Sequence, residues 1–388
     1  MHIKRFIATI TSAVVFVLSV SAQQSVDLPG VVINHIPASS GKFLGSPSIC
    51  IVPNGRYVVS HDYFGPEAGK GKNAITDIFV SDDKGNTWKK TASLEGQYWS
   101  TLFYHNGALY IFGTRGANGN IVLRKSIDNG ESWTTPKDSK SGLIVEGTYH
   151  TAPTPVIVHN GRIFKAFEYA IPNVKWGDCF SAMVLSAKEG DNLLDAKSWR
   201  CSNIIHSSRK WFNGKFRGWL EGNIVYDNNE KQLLNILRLN STNKEEHCAR
   251  VKVSPNGKKI TFNTENGFMP FPGGAKKFTI RHDEYTGKYW TLVNPTEPHK
   301  LIVHNSRTRN KLALYSSSDL IWWDCHRVIA EHPDVKHHGV QYVDWQFDGD
   351  DIVAVIRTAW DDEESGADNY HNSNYILFTR VEDYVKRK

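Results

Sequence analysis

Apolar residues come in short runs of alternating period, and the runs pair up around a turn signal. The clearest pairs are SICIVPNGRYVVSHDYF (48–64), TLFYHNGALYIFGT (101–114) and TPVIVHNGRIFKAFEYA (154–170). Weaker copies are NIVYDNNEKQLLNILRL (223–239), KFTIRHDEYTGKYWTLV (277–293) and QYVDWQFDGDDIVAVIRTAW (341–360). Asn-Gly between two alternating runs predicts a tight β-hairpin, because both turn residues need positive φ. No segment of useful length has the 3.6-residue period of an amphipathic helix.

A second pattern punctuates the hairpins. SDDKGNTW (81–88) returns as SIDNGESW (126–133), both Ser-x-Asp-x-Gly-x-x-Trp. SAKEGDNLLDAKSW (186–199) is a stretched version and SSSDLIWW (316–323) a degraded one. The unit is therefore hairpin, third strand, motif turn, fourth strand, at the spacing of propeller blades, roughly 45 to 70 residues. The predicted fold is all-β: a seven-bladed β-propeller, six blades being the alternative, with four antiparallel strands per blade. Ile204 to Trp219, or VVINHIPAS joined to the C-terminal YILFTRV, would complete a seventh blade.

Residues 1–22 carry a basic start (Lys4, Arg5), an apolar stretch and small residues ending at Ala22. They read as a signal peptide, leaving 23–388 as one propeller domain in the periplasm or outside the cell. No later apolar stretch is long enough to span a membrane. Without Lys4 and Arg5 the formal charge falls from +6 to +4, and basic residues are scattered apart from the short run Lys386-Arg387-Lys388, so neither nucleic acid nor membrane is an expected partner. The five Cys are scattered and form no metal or redox motif, so no metal site is expected. They read as free thiols with at most one disulfide. Carbonyls around a propeller axis could still hold Ca2+. A monomer is expected.

Ser-x-Asp-x-Gly-x-x-Trp is the Asp-box of sialidase-like propellers, where it staples outer strands far from the axis. Sialidases also carry Phe/Tyr-Arg-Ile-Pro before the first hairpin, and that Arg holds the sialate carboxylate. Here FLGSPSICIVPNG places Leu44 or Gly45 at the Arg position, and no Tyr/Glu nucleophile pair is assignable from the sequence. LPGVVINHIPASSGKFLGSPSICIVPNGRYVVSHDYFGP, HTAPTPVIVHNGRIFKAFE and QYVDWQFDGDDIVAVIRTAWDD resemble secreted Bacteroidetes propeller enzymes of arabinogalactan. These act on L-rhamnose-α-1,4-D-glucuronate caps, as rhamnosidases or lyases. The resemblance implies a uronate-containing plant glycan as partner.

The start of each first strand and the end of each second strand should ring one mouth of the channel. His61, beside Asp62, is the first candidate for catalysis, followed by His150 and Arg115. Tyr98, Trp99, Tyr149, Glu168, Arg217, Trp219, Glu221, Arg238, His338 and Arg357 are candidate substrate contacts. This set is rich in His, Arg and Tyr and poor in carboxylates, whereas a glycosidase normally uses a carboxylate pair. It points to β-elimination: Arg neutralises the uronate, and His removes the C5 proton. The alternatives are hydrolysis of the same linkage, with Glu221 and Glu168 as acid and base, or a sialidase-like or non-catalytic glycan-binding propeller.

Overall fold

The computed structural model describes residues 27–386 apart from Pro298 and Lys300, so the expected signal peptide lies outside the described residues. β1 (Val31–His35) comes first. β2 (Phe43–Ile51), β3 (Tyr57–Phe64), β4 (Ile75–Ser81) and β5 (Lys89–Glu95) form an antiparallel sheet in chain order. β6 (Tyr98–His105), β7 (Ala108–Thr114), β8 (Gly119–Ser126) and β9 (Leu143–His150) follow. They run without a break into β10 (Ile157–His159), β11 (Arg162–Ala170), β12 (Phe180–Lys188) and β13 (Trp199–Cys201), giving one eight-stranded sheet. β14 (Phe216–Asp227), β15 (Gln232–Ser241), β16 (His247–Val253), β17 (Ile260–Thr261) and β18 (Phe268–Pro270) form the next sheet. β19 (Thr279–Asp283), β20 (Lys288–Val293), β21 (Lys311–Ser317) and β22 (Asp324–Glu331) form another. β23 (Gly339–Asp348), β24 (Asp351–Ala359) and β25 (Tyr375–Val381) form the last, with β1 as its outer strand.

All six expected hairpins form. At Asn106-Gly107 and Asn160-Gly161 both turn residues have positive φ, as the tight turn requires. The hairpins stand around one axis, where β2 meets both β6 and β23, β11 meets β14, and β19 meets both β14 and β23. The propeller is therefore closed, but neither the expected seven blades nor the six of the alternative are found as separate sheets. Among the described residues there are five sheets: four separate blades and the eight-stranded sheet, which holds two hairpin units. They are fused because Tyr149 of β9 lies opposite both Gly119 and Tyr169. Neither candidate for a seventh blade becomes one. VVINH does pair with YILFTRV, but inside the sheet of β23 and β24. Ile204 to Trp219 holds a 3-10 turn and the start of β14 rather than a separate sheet.

The apolar core lies between neighbouring sheets. Leu44, Ile49 and Val59 pack on Val353, Val355 and Phe378, for example, and Phe164 and Val184 pack on Trp219 and Leu237. The Asp-box works as a staple. Asp83 accepts from the Thr87 amide (2.9 Å) and hydroxyl (2.6 Å), and Ser81 Oγ accepts from the Gly85 amide (2.8 Å). A Cβ on Gly85 would fall 2.2 Å from the Phe378 ring, so the box glycine is what lets two blades approach. Asp128, Gly130 and Ser132 repeat these bonds.

Buried lysines tie the inner strands together. Lys165 Nζ donates to Ala152 O (2.8 Å), Thr154 O (2.9 Å) and Thr154 Oγ1 (2.7 Å), one acceptor for each ammonium proton. Lys277 Nζ donates to Val343 O and Thr279 Oγ1. All five cysteines are free. No described helix is long and apolar enough to cross a membrane.

Candidate active site

One backbone irregularity recurs at the mouth of the channel. The inner strands β2, β6, β14 and β23 each carry one extra residue relative to their partners. The shifts lie between Gly45 and Ser48, Tyr98 and Thr101, Leu220 and Asn223, and Gln341 and Asp344. Each is a β-bulge, which re-aims a side chain. Ser46, Trp99, Glu221 and Tyr342 sit in these bulges with φ of 43°, 49°, 55° and 54°. Left-handed backbone at a bulky residue costs roughly 1–3 kcal/mol and persists where surrounding structure over-determines it.

The partner strands supply the second ring. Asp62 lies opposite Gly45, Thr114 opposite Tyr98, Arg238 opposite Leu220, and Arg357 opposite Gln341. Glu168 of β11, opposite His150, is the equivalent residue beside the broken inner strand β9–β10.

These rings border a cavity of about 470 Å3. Tyr342 donates to Glu221 Oε1 at 2.6 Å. Arg238 Nη1 meets both Glu221 oxygens at 3.0 and 2.9 Å and lies 3.4 Å from the Tyr342 hydroxyl. Arg309 and Arg357 stand over the Tyr342 ring, 5.7 and 4.9 Å from its centre. Three guanidiniums and one phenol thus share one wall. Burial pushes the Glu221 carboxyl up, but Arg238, His150 and the Tyr342 hydroxyl outweigh it and hold the carboxyl below its usual range. Tyr342 is raised by burial and by the Glu221 charge.

Asp62 faces the same space. Its Oδ2 accepts from the Trp99 amide at 2.8 Å. Burial pushes its pKa up to about 7, against the pull of that amide and of Arg357. Such a group holds a proton near neutrality and can give it away. Trp99, Trp176, Phe212 and Tyr370 add aromatic faces to the cavity wall. His371 also lines it, and burial beside Arg357 and Arg309 drives its pKa down to about 2, so it is neutral.

Of the residues expected from the sequence, Tyr98, Trp99, Arg238 and Arg357 line the cavity, and Glu221 is bonded to two groups on its wall. His150 and Glu168 sit behind. His150 Nδ1 pairs with Glu168 Oε2 at 2.7 Å, and Glu168 Oε1 accepts from the amide of Gly222 at 3.1 Å. The His150 ring lies between Phe180 and the cavity residue Trp99. This pair braces the bulge that presents Glu221.

The other candidates lie elsewhere. His61 is fully buried on the opposite face of β3, stacked on Phe79, with Nε2 bonded to Asn34 at 3.0 Å. Burial lowers its pKa to about 4, so it is a neutral core residue and not the base. Arg115 donates to Pro136 O, and Arg217 to Gly214 O and Phe216 O. Tyr149 packs on Tyr169, and Trp219 belongs to a buried aromatic cluster with Trp211, Phe216 and Phe262. His338 stacks on His332.

Sequence reading missed Tyr342 and Arg309 and gave Asp62 only a supporting role. Tyr342 sits in an alternating run where nothing marks the bulge. Arg309 comes from the β20–β21 connection, outside any hairpin. At Gly45 a Cβ would lie 2.6 Å from Asp62 Oδ1, so no larger side chain fits beside that carboxyl.

No protein-family model and no curated protein matches this chain. Solved structures share its fold. A Hadza microbial sialidase, Hz136, superposes with a TM-score of 0.62 at 12% identity, over 91% of this chain and 68% of that one. The α-L-arabinanase of Penicillium chrysogenum gives 0.56 at 13%, over 93% and 99% of the two chains. The GH93 α-L-arabinofuranosidase of Fusarium graminearum gives 0.58 at 10%, over 91% and 96%. The chain therefore has the fold of the sialidase-like β-propellers.

Proposed function

We propose that the protein is an exo-acting carbohydrate enzyme that hydrolyses a terminal sugar whose own ring carries a carboxylate, with Tyr342 as nucleophile. The Tyr342–Glu221–Arg238 network carries this reading. Guanidiniums pair bidentately with carboxylates, and Arg238, Arg309 and Arg357 converge beside the Tyr342 ring. The carboxylate they would hold therefore belongs to the reacting ring, which disfavours a neutral rhamnose in that place.

Glu221, kept ionised by Arg238, takes the phenol proton, and Tyr342 oxygen attacks the anomeric carbon. Asp62 protonates the departing oxygen. Its carboxylate then takes a proton from the water that releases the sugar from Tyr342. A neutral phenol approaches an anionic sugar without the repulsion that a carboxylate nucleophile would meet. Sialidases share this fold, which supports an acidic terminal sugar as substrate class.

A second reading keeps β-elimination from an L-rhamnosyl-D-glucuronate, in the periplasm or outside the cell. The absent first-strand arginine and the whole-chain resemblance favour it. The three guanidiniums would neutralise the uronate, Tyr342 would remove the C5 proton, and Asp62 would protonate the oxygen leaving C4. Incubation with an aryl α-sialoside and with rhamnosyl-glucuronate separates the readings. Acidic sugar released with one water added supports hydrolysis. An ultraviolet-absorbing unsaturated product supports elimination. Hydrated rhamnose and glucuronate would sink both assignments of Tyr342. In either working case Tyr342→Phe should lower kcat on the order of 10³-fold or more, with KM little changed.

A further inference from the structure

His332 and His338 stack with ring centres 3.5 Å apart and planes 18° apart. His338 is 4% exposed, and both its ring nitrogens are buried with no hydrogen bond. Buried polar atoms in native proteins nearly always have a partner. His338 Nε2 lies 3.4 Å from Asp361 Oδ1. One donor atom each from His332, His338 and Asp361 falls within 4.8 Å of the other two. The edge of Trp360 closes the cluster against both rings.

We propose that His332, His338 and Asp361 bind a divalent transition-metal cation, for which zinc is the probe. Two imidazoles and one carboxylate, completed by water, suit zinc, nickel or copper, whereas Ca2+ and Mg2+ take oxygen ligands. His332 Nδ1 takes the Asp334 amide at 3.2 Å, and that contact must yield if the ring turns or shifts its proton on binding. No spacing motif marks the site, because His332 and His338 are separated from Asp361 by a whole hairpin.

The location gives the cation a task. His338 immediately precedes β23, and Asp361 follows the end of β24, where Gly339 pairs with Ala359. β23 carries Tyr342 and β24 carries Arg357. The loop after Asp361 carries Tyr370 and His371 to the cavity wall. A bound cation would pin both strand ends and the root of that loop.

Chelator-stripped full-length protein should be titrated with ZnCl2 by calorimetry, with CaCl2 as control, and its Tm followed. One zinc per chain, a rise in Tm with zinc, and no response to calcium are expected. His338→Ala and Asp361→Asn should each weaken binding at least about tenfold. Asp361 is 68% exposed, so its variant tests the site even if His338→Ala fails to fold. No saturable zinc binding overturns the proposal. So does zinc binding that a folded variant of either residue leaves unchanged, or calcium binding of equal strength.

Discussion

At the scale of single residues, one position separates a core histidine from the carboxyl proposed as the acid. His61 and Asp62 are neighbours on a strand, so their side chains point to opposite faces. The sequence favoured His61, but the residue in step with Glu168, Arg238 and Arg357 on the second strands is Asp62. Asp62 carries a testable cost. Its pKa is about 7 in the folded protein, above the 3.8 of a free carboxyl, so the native state holds the extra proton between those values. Stability therefore falls as pH rises through that window, and it is fully present only below it. Asp62→Asn should flatten this dependence and stabilise the protein at pH 8 by roughly 1–4 kcal/mol in urea titrations. The same variant should lose on the order of 10²–10⁴-fold in turnover. In the native protein, turnover should fall as pH passes about 7, where Asp62 gives up its proton.

At the scale of strands and turns, the hairpins were legible because Asn-Gly turns and alternation are local chemistry. The bulges were not, because an extra residue in a strand leaves no mark on an alternating apolar run. Nor was the blade count, which depends on Tyr149 serving two sheets and on β1 completing the last one. The Asp-box was legible as a staple, and its glycine is the sharpest test of that role. Gly85 has φ of 94° and faces the Phe378 ring across the blade boundary. Gly85→Ala should cost about 1–3 kcal/mol by thermal unfolding, with kcat per folded molecule unchanged. A fall in kcat without a fall in Tm would place the box in the chemistry instead.

At the scale of the whole molecule, closure and chemistry share a sheet. β1 seals β25, Trp360 donates to Asp27 O at 2.9 Å, and His35 stacks on Tyr375. The same sheet carries Tyr342 and Arg357. Removing residues 27–35 should therefore lower Tm and turnover together, whereas Gly85→Ala moves Tm alone; calorimetry beside a rate assay distinguishes them. The four bulges have a broader consequence. Each of these four hairpins presents one left-handed position to the same central space from a different bearing, like interchangeable tool holders on a turret. Ser46 holds the smallest tool. Asn and Asp tolerate that backbone, so a new polar group can be installed in the cavity that Tyr342 also lines without rebuilding a loop. If the proposed activity holds, the propeller thereby offers a route to altered sugar preference in which the scaffold stays fixed and only the occupant of a socket is exchanged.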